Sequence, residues 1–298
     1  LPGKVPTEIL ERIVFRNLGV KRNDVVVGPA AGVDVAIVRA GEELLAVSTD
    51  PITGAEEWIG WLAVNVSAND VATCGVQPRW FVSCMLLPEG SEEGLVDKIC
   101  HQIDKAARQL GVAVIAGHCE ITPGISHPIL VGCAVGVAEG GKYVTSSGAK
   151  PGNSLILTKG VGIEGTAILA SDKRRELLGT FDENFLKRAE SFFEKISVVE
   201  DAITAFQTGG VLAMHDPTEG GVAGGIHEMA DAAGVGFQVY EERIRIPEET
   251  RKICELFEID PLQLISSGSL LISAEKEKAE EIMDRLSQKG VYASIIGE

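Results

Sequence analysis

Four aspartates that interrupt apolar segments are the residues of this sequence best suited to carry chemistry. They are Asp34 in GPAAGVDVAIV, Asp50 at the end of LLAVSTD, Asp70 in WLAVNVSANDVATCG and Asp216 in VLAMHDPTEGGVAGG. A carboxylate in an apolar segment costs free energy unless something pairs with it. Carboxylates set among glycine-rich turns can hold a divalent cation and, through it, a polyphosphate. The pattern therefore favours a magnesium site that binds phosphates.

The pair Asn69-Asp70 is the sharpest local signal. Apolar residues at Ile59, Leu62 and Val66 follow helical spacing, and continuing this stripe places Asn69 and Asp70 on or beside the inward face. The alternative is a polar helix end at which Asp70 caps or pairs with a neighbour. Two adjacent polar residues on a buried face favour the functional interpretation.

Two further segments of the first half could contact a ligand. Thr49-Asp50 ends an aliphatic strand, where side chains can project into a crevice, although an ordinary Asp-Pro turn explains it equally well. The loop 28–34 reads GPAAGVD, and its backbone amides are free to approach an anion. It matches neither a P-loop nor a Rossmann fingerprint.

The segment Gly117-His118-Cys119-Glu120 ends the strand VAVIAG. Side chains two residues apart on an extended chain share a face, so we expect His118 and Glu120 to face the nucleotide cleft together. Cys119 would point the other way, which favours a magnesium or nucleotide role over a zinc site. In the alternative interpretation, His118 only hydrogen-bonds the turn at 123–124.

The segment from Asp216 to Gly221 runs from a strand into a helix. Free amides at a helix start attract phosphate, and the pair Gly220-Gly221 allows a close approach. The alternative is an ordinary N-cap by Asp216 or Thr218. The two glycines favour a ligand site.

Alternating apolar runs and helical periods set the predicted architecture. The first half reads as strands separated by single helices, including an amphipathic helix after a Ser91 N-cap, and predicts a ferredoxin-like α+β layer. The Ser-, Gly- and Pro-rich segment YVTSSGAKPGNS is the best domain boundary, giving domains 1–148 and 149–298. The second half, with strands LILTKG, VLAMHD, FQVY, SLLISA and YASIIG, predicts an α/β domain.

Composition excludes several classes of protein. The formal net charge of -16, with no basic tract, argues against a nucleic-acid partner. No run approaches the roughly 18 apolar residues of a membrane helix, and no signal-peptide pattern is present. The six cysteines form no CxxC pair, so we expect reduced thiols and a cytoplasmic protein.

Taken in order, these segments resemble the ATP-binding superfamily named after aminoimidazole ribonucleotide (AIR) synthetase, the PurM-like proteins. The resemblance covers nearly the whole chain, and DPTEGG is especially close to the Asp-Pro-Thr-Arg-Gly-Gly segment of the hydrogenase maturation (HypE) branch. The matching positions are Asp34, Thr49-Asp50, Asn69-Asp70 with Gly75 and Pro78, the segment AGHCEITPG and the segment GAKPGNSLILTKG.

This resemblance implies a ferredoxin-like N-terminal domain that forms a dimeric β-barrel with its twin, followed by an α/β C-terminal domain. It also implies ATP and magnesium as cofactors and phosphorylation of an amide or carboxamide oxygen, on a small molecule or a protein. The implied catalytic residues are Asp50, Asp70, His118 and Asp216. The implied metal ligands are Asp34, Asp50, Asp70 and Glu120. The implied nucleotide-binding residues are Asp34, Thr49, Asn69, Gly117, Glu120, Thr218, Gly220 and Gly221.

The chain departs from the family pattern in two places. His118 stands where the family has a metal-binding acid, so Glu120 would have to compensate. HypE proteins carry their substrate on a C-terminal cysteine, whereas this sequence reads SIIGE at its end; a tail outside this sequence and a reaction without one both stay open. Two other functions also stay open: a small-molecule kinase resembling thiamine-monophosphate kinase, and a nucleotide-binding maturation scaffold without turnover.

Overall fold

The computed structural model describes residues 5–298, which form two halves, each built on one sheet. The first sheet has the strand order β1-β2-β3-β6-β4-β5, and all its pairs are antiparallel except β4 with β5. Its strands are β1 (Val25–Val27), β2 (Ala36–Ala40), β3 (Glu43–Ile52), β4 (Pro78–Leu87), β5 (Ala113–Ile121) and β6 (Ile129–Val137).

Helices cover one face of this sheet and leave the other uncovered. The helices of this half are α1 (Thr7–Arg12), α2 (Ile59–Thr73) and α3 (Glu93–Leu110). Helix α3 is amphipathic, as its sequence predicts, and buries Ile99, Ile103 and Ala106 against α2 and the sheet. The predicted N-cap at Ser91 is wrong: Glu92 precedes the helix, and the Ser91 hydroxyl donates to the Pro88 carbonyl instead.

Helix α2 is buried along its whole length. One side packs on the first sheet, where Gly132 lies against α2 so closely that a Cβ there would meet Ser67 Oγ and the Ala63 carbonyl. The other side packs on the second half, through Leu62 and Val66 among other contacts. Because both sides are covered, α2 carries no solvated polar face. It is the main structural link between the halves.

The second half contains a four-stranded sheet of order β10-β7-β9-β8, in which every pair is antiparallel. Its strands are β7 (Ser154–Thr158), β8 (Val211–His215), β9 (Leu271–Ala274) and β10 (Ala293–Gly297). Its helices are α4 (Ile163–Asp172), α5 (Arg174–Leu177), α6 (Glu183–Glu190), α7 (Val199–Thr208), α8 (Gly221–Ala233), α9 (Glu248–Phe257) and α10 (Ala279–Gln288).

The structure confirms a mixed two-domain fold and corrects one detail of it. The second half is α+β in the strict sense, because its sheet lacks the parallel pairs of an α/β domain. The predicted strand FQVY is also wrong, since only an isolated bridge from Val239 to Gly297 forms there. The sheets are separated by residues 138–153, so the boundary predicted after residue 148 lies between them and stays a prediction. In the described part of the chain, no helix has the length and apolarity to span a membrane.

Candidate functional site

The four aspartates singled out in the sequence meet where the two halves join. Asp34 lies two residues before β2, Asp50 lies in β3, Asp70 lies in α2, and Asp216 follows β8 of the second half. The charges of Asp34, Asp50 and Asp216 all act on Asp70. The fold therefore brings together acids that are up to 182 positions apart in the chain.

Asp70 is held by a serine that the sequence analysis does not single out. The Ser48 hydroxyl lies 2.6 Å from Asp70 Oδ2 and 3.0 Å from the Asp34 carbonyl oxygen. Burial raises the pKa of Asp70 well above its ordinary value, and the charges of Asp216 and Asp50 raise this pKa further. In the absence of a cation, the Asp70 carboxyl group is therefore stabilised in its protonated form.

Asp216, on the other side of the junction, is also a buried carboxyl group with a raised pKa. Burial raises its pKa to about 8; the charge of His215 lowers this pKa, whereas those of Asp34 and Asp50 raise it. Within the described residues, Oδ2 of Asp50 and Oδ2 of Asp216 are buried and accept no hydrogen bond. A buried acceptor without a partner costs free energy, so a bound group at this place would relieve a cost already present.

His215 ties the first half to the second at the same place. The imidazole is buried, with Nε2 at 2.8 Å from Glu228 Oε2 and Nδ1 at 3.4 Å from Asp34 Oδ2. Burial lowers the pKa of His215, but the hydrogen bonds to Asp34 and Glu228 outweigh it and raise this pKa to about 10. His215 is therefore an imidazolium at neutral pH, and it places a positive charge beside the carboxylate cluster.

The carboxylate cluster fits a magnesium ion by its chemistry. Hard carboxylate oxygens are the ligands that Mg²⁺ prefers, and two of them have no other partner here. Among residues 5–298, no three His, Cys, Asp or Glu side chains already converge as metal ligands do. The acids therefore lie near enough to raise the pKa values of Asp70 and Asp216, without the converged geometry of a bound ion.

Asn69 has a task that the sequence analysis does not predict. Its Nδ2 donates to the Ile196 carbonyl and its Oδ1 accepts from the Val198 amide, both at 2.8 Å. The amide group is therefore occupied by the backbone of the second half and clamps α2 to it. A direct role of Asn69 in nucleotide binding stays a prediction, and the contacts in this structure assign it a positioning role.

Thr49, His118 and Glu120 lie on the uncovered face of the first sheet. Asp50 lies on the face that α2 covers, so its neighbour Thr49 points the other way, and its hydroxyl donates to the Gly132 carbonyl. His118 Nε2 lies 2.8 Å from Glu120 Oε2 on β5. Strands β6 and β4 separate β5 from β3, which carries Asp50. Within one chain these side chains do not join the aspartates. Their roles, and that of Gly117, stay predictions.

The start of α8 is shaped by close packing. Gly220 precedes the helix with φ +81°, and neither Asp216 nor Thr218 caps it with a side chain. A Cβ at Gly221 would lie 2.4 Å from the Leu262 carbonyl oxygen, so this glycine is required by a neighbouring loop. Phosphate binding at Thr218, Gly220 and Gly221 therefore stays a prediction, and packing accounts for one of the two glycines.

Sequence reasoning misses three residues of this site: Ser48, His215 and Glu228. A signal for His215 exists, because a histidine at the end of the buried strand VLAMH needs a polar partner. Ser48 also follows the inward alternation of LLAVSTD. No local signal marks Glu228, whose partner is 13 positions away in the chain.

The two-domain α+β fold of this chain is shared by solved proteins. A structure of a HypE–HypF complex matches with a TM-score of 0.82 over 97% of this chain and 92% of that chain, at 25% identity. A HypE structure in complex with ATP matches with a TM-score of 0.74 over 99% of this chain and 86% of that one, at 23% identity, and shows the same fold.

The particular family follows from the sequence profiles. The AIR synthase related protein N-terminal domain matches residues 32–138, and the C-terminal domain of the same family matches residues 150–298. The chain belongs to this family. A protein of Methanocaldococcus jannaschii named for hydrogenase expression and formation is 28% identical over 99% of this chain and 88% of its own length. Carbamoyl dehydratase HypE of Azotobacter vinelandii is 30% identical over 80% of this chain and 69% of its own length.

Proposed function

We propose that this protein is an ATP- and magnesium-dependent enzyme that activates a carboxamide oxygen by phosphorylation, as a carbamoyl dehydratase requires. The observation that carries the proposal is the junction of the two halves, where four aspartates lie near one another and two buried carboxylate oxygens have no hydrogen-bond partner among the described residues. Relatives named carbamoyl dehydratase HypE support the reaction, and a HypE structure with ATP supports the nucleotide.

In this proposal the residues of the junction have separate tasks. Asp34, Asp50, Asp70 and Asp216 would hold magnesium, which supplies the positive charge that a triphosphate needs in this acidic protein. Ser48 orients the Asp70 carboxyl group. The remaining positioning contacts act across the two halves: His215 holds the loop that carries Asp34, and Asn69 clamps α2 to residues 196–198.

The acceptor follows from the chemistry of dehydration. A carboxamide oxygen attacks the terminal phosphorus of ATP, ADP leaves, and the nitrogen loses one proton; departure of phosphate and of the second N–H proton then gives a nitrile. The HypE–HypF complex supports a protein partner, and we propose that the carboxamide arrives bound to a protein. We also propose a cytoplasmic location, which the six free cysteines support.

The test is ADP release with an S-carbamoylcysteine peptide as the acceptor. We expect the peptide to stimulate ADP and phosphate formation in the presence of magnesium, and Asp216→Asn to abolish this stimulation. Asp284→Asn, at an exposed position of α10, is the matched control and should behave as the parent protein. A kinase would instead leave a stable phosphorylated product. A scaffold would bind ATP without forming ADP, and either result would contradict the proposed reaction.

We further propose that the protein forms a homodimer through the uncovered face of the first sheet. Strand β5 is an exposed edge with Val114, Ile115 and Ile121 each about half exposed. On β6, which β4 separates from β5, Val131 and Val135 are only half-buried. An unpaired edge beside an apolar face is a surface that proteins normally cover, and two such sheets can close a barrel.

Sedimentation velocity tests the dimer. The parent protein should sediment with twice the mass of one chain at micromolar concentration. Val131→Asp places a charge in the middle of the uncovered face and should shift the protein to a monomer, since burying an unpaired carboxylate in the interface is costly. Leu256→Asp, at an exposed apolar position of α9, is the control and should leave the dimer intact. A parent protein that is already monomeric would refute the proposal.

A further inference from the structure

A cavity of about 550 Å³ lies in the second half of the chain, outside the carboxylate cluster. None of its lining residues belongs to the carboxylate cluster, and the segment of residues 194–198 contributes Lys195 to its wall. Two side chains hold the backbone of this segment. Asn69 binds it from the junction, and Lys159, which lines the cavity, donates from Nζ to the Ser197 carbonyl over 2.5 Å. The cavity is therefore a distinct site.

Cationic side chains dominate the walls of this cavity. Lys159, Arg188, Lys195 and Arg245 all face it, in a protein whose formal net charge is -16. Only two acids, Glu248 and Glu249, line the same cavity. The walls of the cavity therefore carry a charge opposite in sign to the net charge of the protein.

Most of these charges already have partners. The pairs are Lys159 with Asp201 at 3.1 Å, Arg188 with Glu249 at 2.8 Å, and Lys252 with Glu248 at 2.7 Å. Lys195 and Arg245 are different: within the described residues, neither forms an ion pair, and each instead lies over an aromatic ring. The cavity therefore carries two cations more than its carboxylates neutralise.

The aromatic rings hold these two cations in place without using their donors. Lys195 Nζ lies 4.0 Å from the centre of the Phe192 ring, and the Arg245 guanidinium lies 4.6 Å from that of Tyr292. A guanidinium stacked on a ring keeps its N–H groups free in its own plane, where they match an oxyanion. Both cations line the cavity, and neither is paired with a carboxylate among the described residues.

The cations also act on one another. Burial lowers the pKa of Lys195, and the nearby charges of Arg245 and Lys159 lower it further, while Glu249 acts in the opposite direction. Glu249 counters this repulsion between the cations, and a bound anion would add to that stabilisation. The arrangement is therefore suited to a ligand that carries more than one negative charge.

We propose that this cavity binds a phosphate-bearing small molecule, whose oxygens are held by Lys195 and Arg245. The planar fork of an arginine recognises phosphate through two hydrogen bonds, and a lysine adds a compact charge. A volume of about 550 Å³ is in the usual range for small organic ligands. This site is independent of the proposed magnesium and ATP site, because it uses no carboxylate and no residue of the junction.

Calorimetry with inorganic pyrophosphate in EDTA tests the site. EDTA removes magnesium, so the carboxylate cluster repels the anion and only a cationic site can bind it. We expect pyrophosphate to bind the parent protein and to bind Lys195→Gln/Arg245→Gln at least tenfold more weakly. Arg243→Gln is the matched control, since Arg243 also stacks on a tyrosine, Tyr240, in the same half but outside this cavity. It should bind as the parent does.

Each other outcome overturns the proposal. No pyrophosphate binding to the parent protein, or equal binding to the parent and the double variant, would mean that the cavity is not a phosphate site. Binding of citrate but not of pyrophosphate would replace phosphate by carboxylate as the ligand class. Because no step of this test requires ATP or turnover, its failure is distinguishable from failure of the proposed enzymatic function.

Discussion

Replacing Asp50 or Asp70 by Asn is expected to weaken the binding of magnesium-ATP at least tenfold, or about 1.4 kcal/mol. Each substitution keeps the shape of the side chain and removes one negative charge from the cluster that would hold the cation. Oδ2 of Asp50 is buried without a hydrogen-bond partner, so its replacement removes an oxygen that nothing else in the described chain uses. Isothermal titration calorimetry of ATP in excess magnesium measures the effect.

Thermal stability without ligand separates this loss from unfolding. The raised pKa of Asp70 means that its charged form is unfavourable in the ion-free protein, and Asn is neutral and still accepts from Ser48. Asp70→Asn should therefore keep or raise the melting temperature in EDTA while it lowers ATP affinity. Asp284→Asn is the control for both measurements. Unchanged ATP affinity in both Asp50→Asn and Asp70→Asn would refute the assignment.

Replacing His215 by Gln is expected to lower the free energy of unfolding by about 3 kcal/mol near neutral pH. Removing one partner of a buried ion pair leaves the other charges uncompensated, and such losses typically reach about 3–5 kcal/mol. We expect the lower end of this range, because Asp34 and Glu228 are partly exposed and solvent screens them. Urea denaturation of the ion-free protein at pH 7 measures the change.

The pH dependence identifies the charge as the cause. The pKa of His215 is raised from 6.5 to about 10, so its stabilising contribution is complete below pH 6.5 and is lost as the pH rises through 10. Asp216 is the opposite kind of group: its raised pKa, about 8, destabilises the ion-free fold progressively as the pH rises from 3.8 to 8. The parent protein should therefore lose stability most steeply between pH 6.5 and 8, where both groups contribute, and His215→Gln should lose it less steeply there, because of these two groups only Asp216 remains.

His101→Gln is the matched control for this experiment. His101 lies on the exposed side of α3 beside Asp97, so its removal should change the free energy of unfolding little. If His215→Gln were as stable as His101→Gln, or if its stability fell between pH 6.5 and 8 as steeply as that of the parent, the imidazolium would not link the two halves.

Much of the fold follows from local patterns in the sequence. The amphipathic period of α3 and the short apolar strands depend on neighbouring residues alone, and both appear in the structure. The four aspartates are also visible, because a carboxylate in an apolar segment is costly wherever that segment is buried. The ordered motifs identify the AIR synthase related family, which the sequence profiles confirm.

Other features depend on which segments pack together. The alternation of side chains along a strand places Asp50 and Thr49 on opposite faces of the sheet. Only the position of α2 determines which of these two residues points toward the cluster. The antiparallel second sheet is likewise a matter of strand pairing, and strands separated by helices do not reveal the pairing.

By itself, the sequence determined the chemical groups, the two-domain organisation and the family of this protein. The tertiary structure alone decided which groups meet. His215 joins Asp34 and Glu228 across 181 and 13 positions of the chain, and Asn69 reaches the backbone of residues 196 and 198. Contacts of this kind leave no periodic trace, because each depends on one pair of atoms brought together by the packing of whole domains around α2.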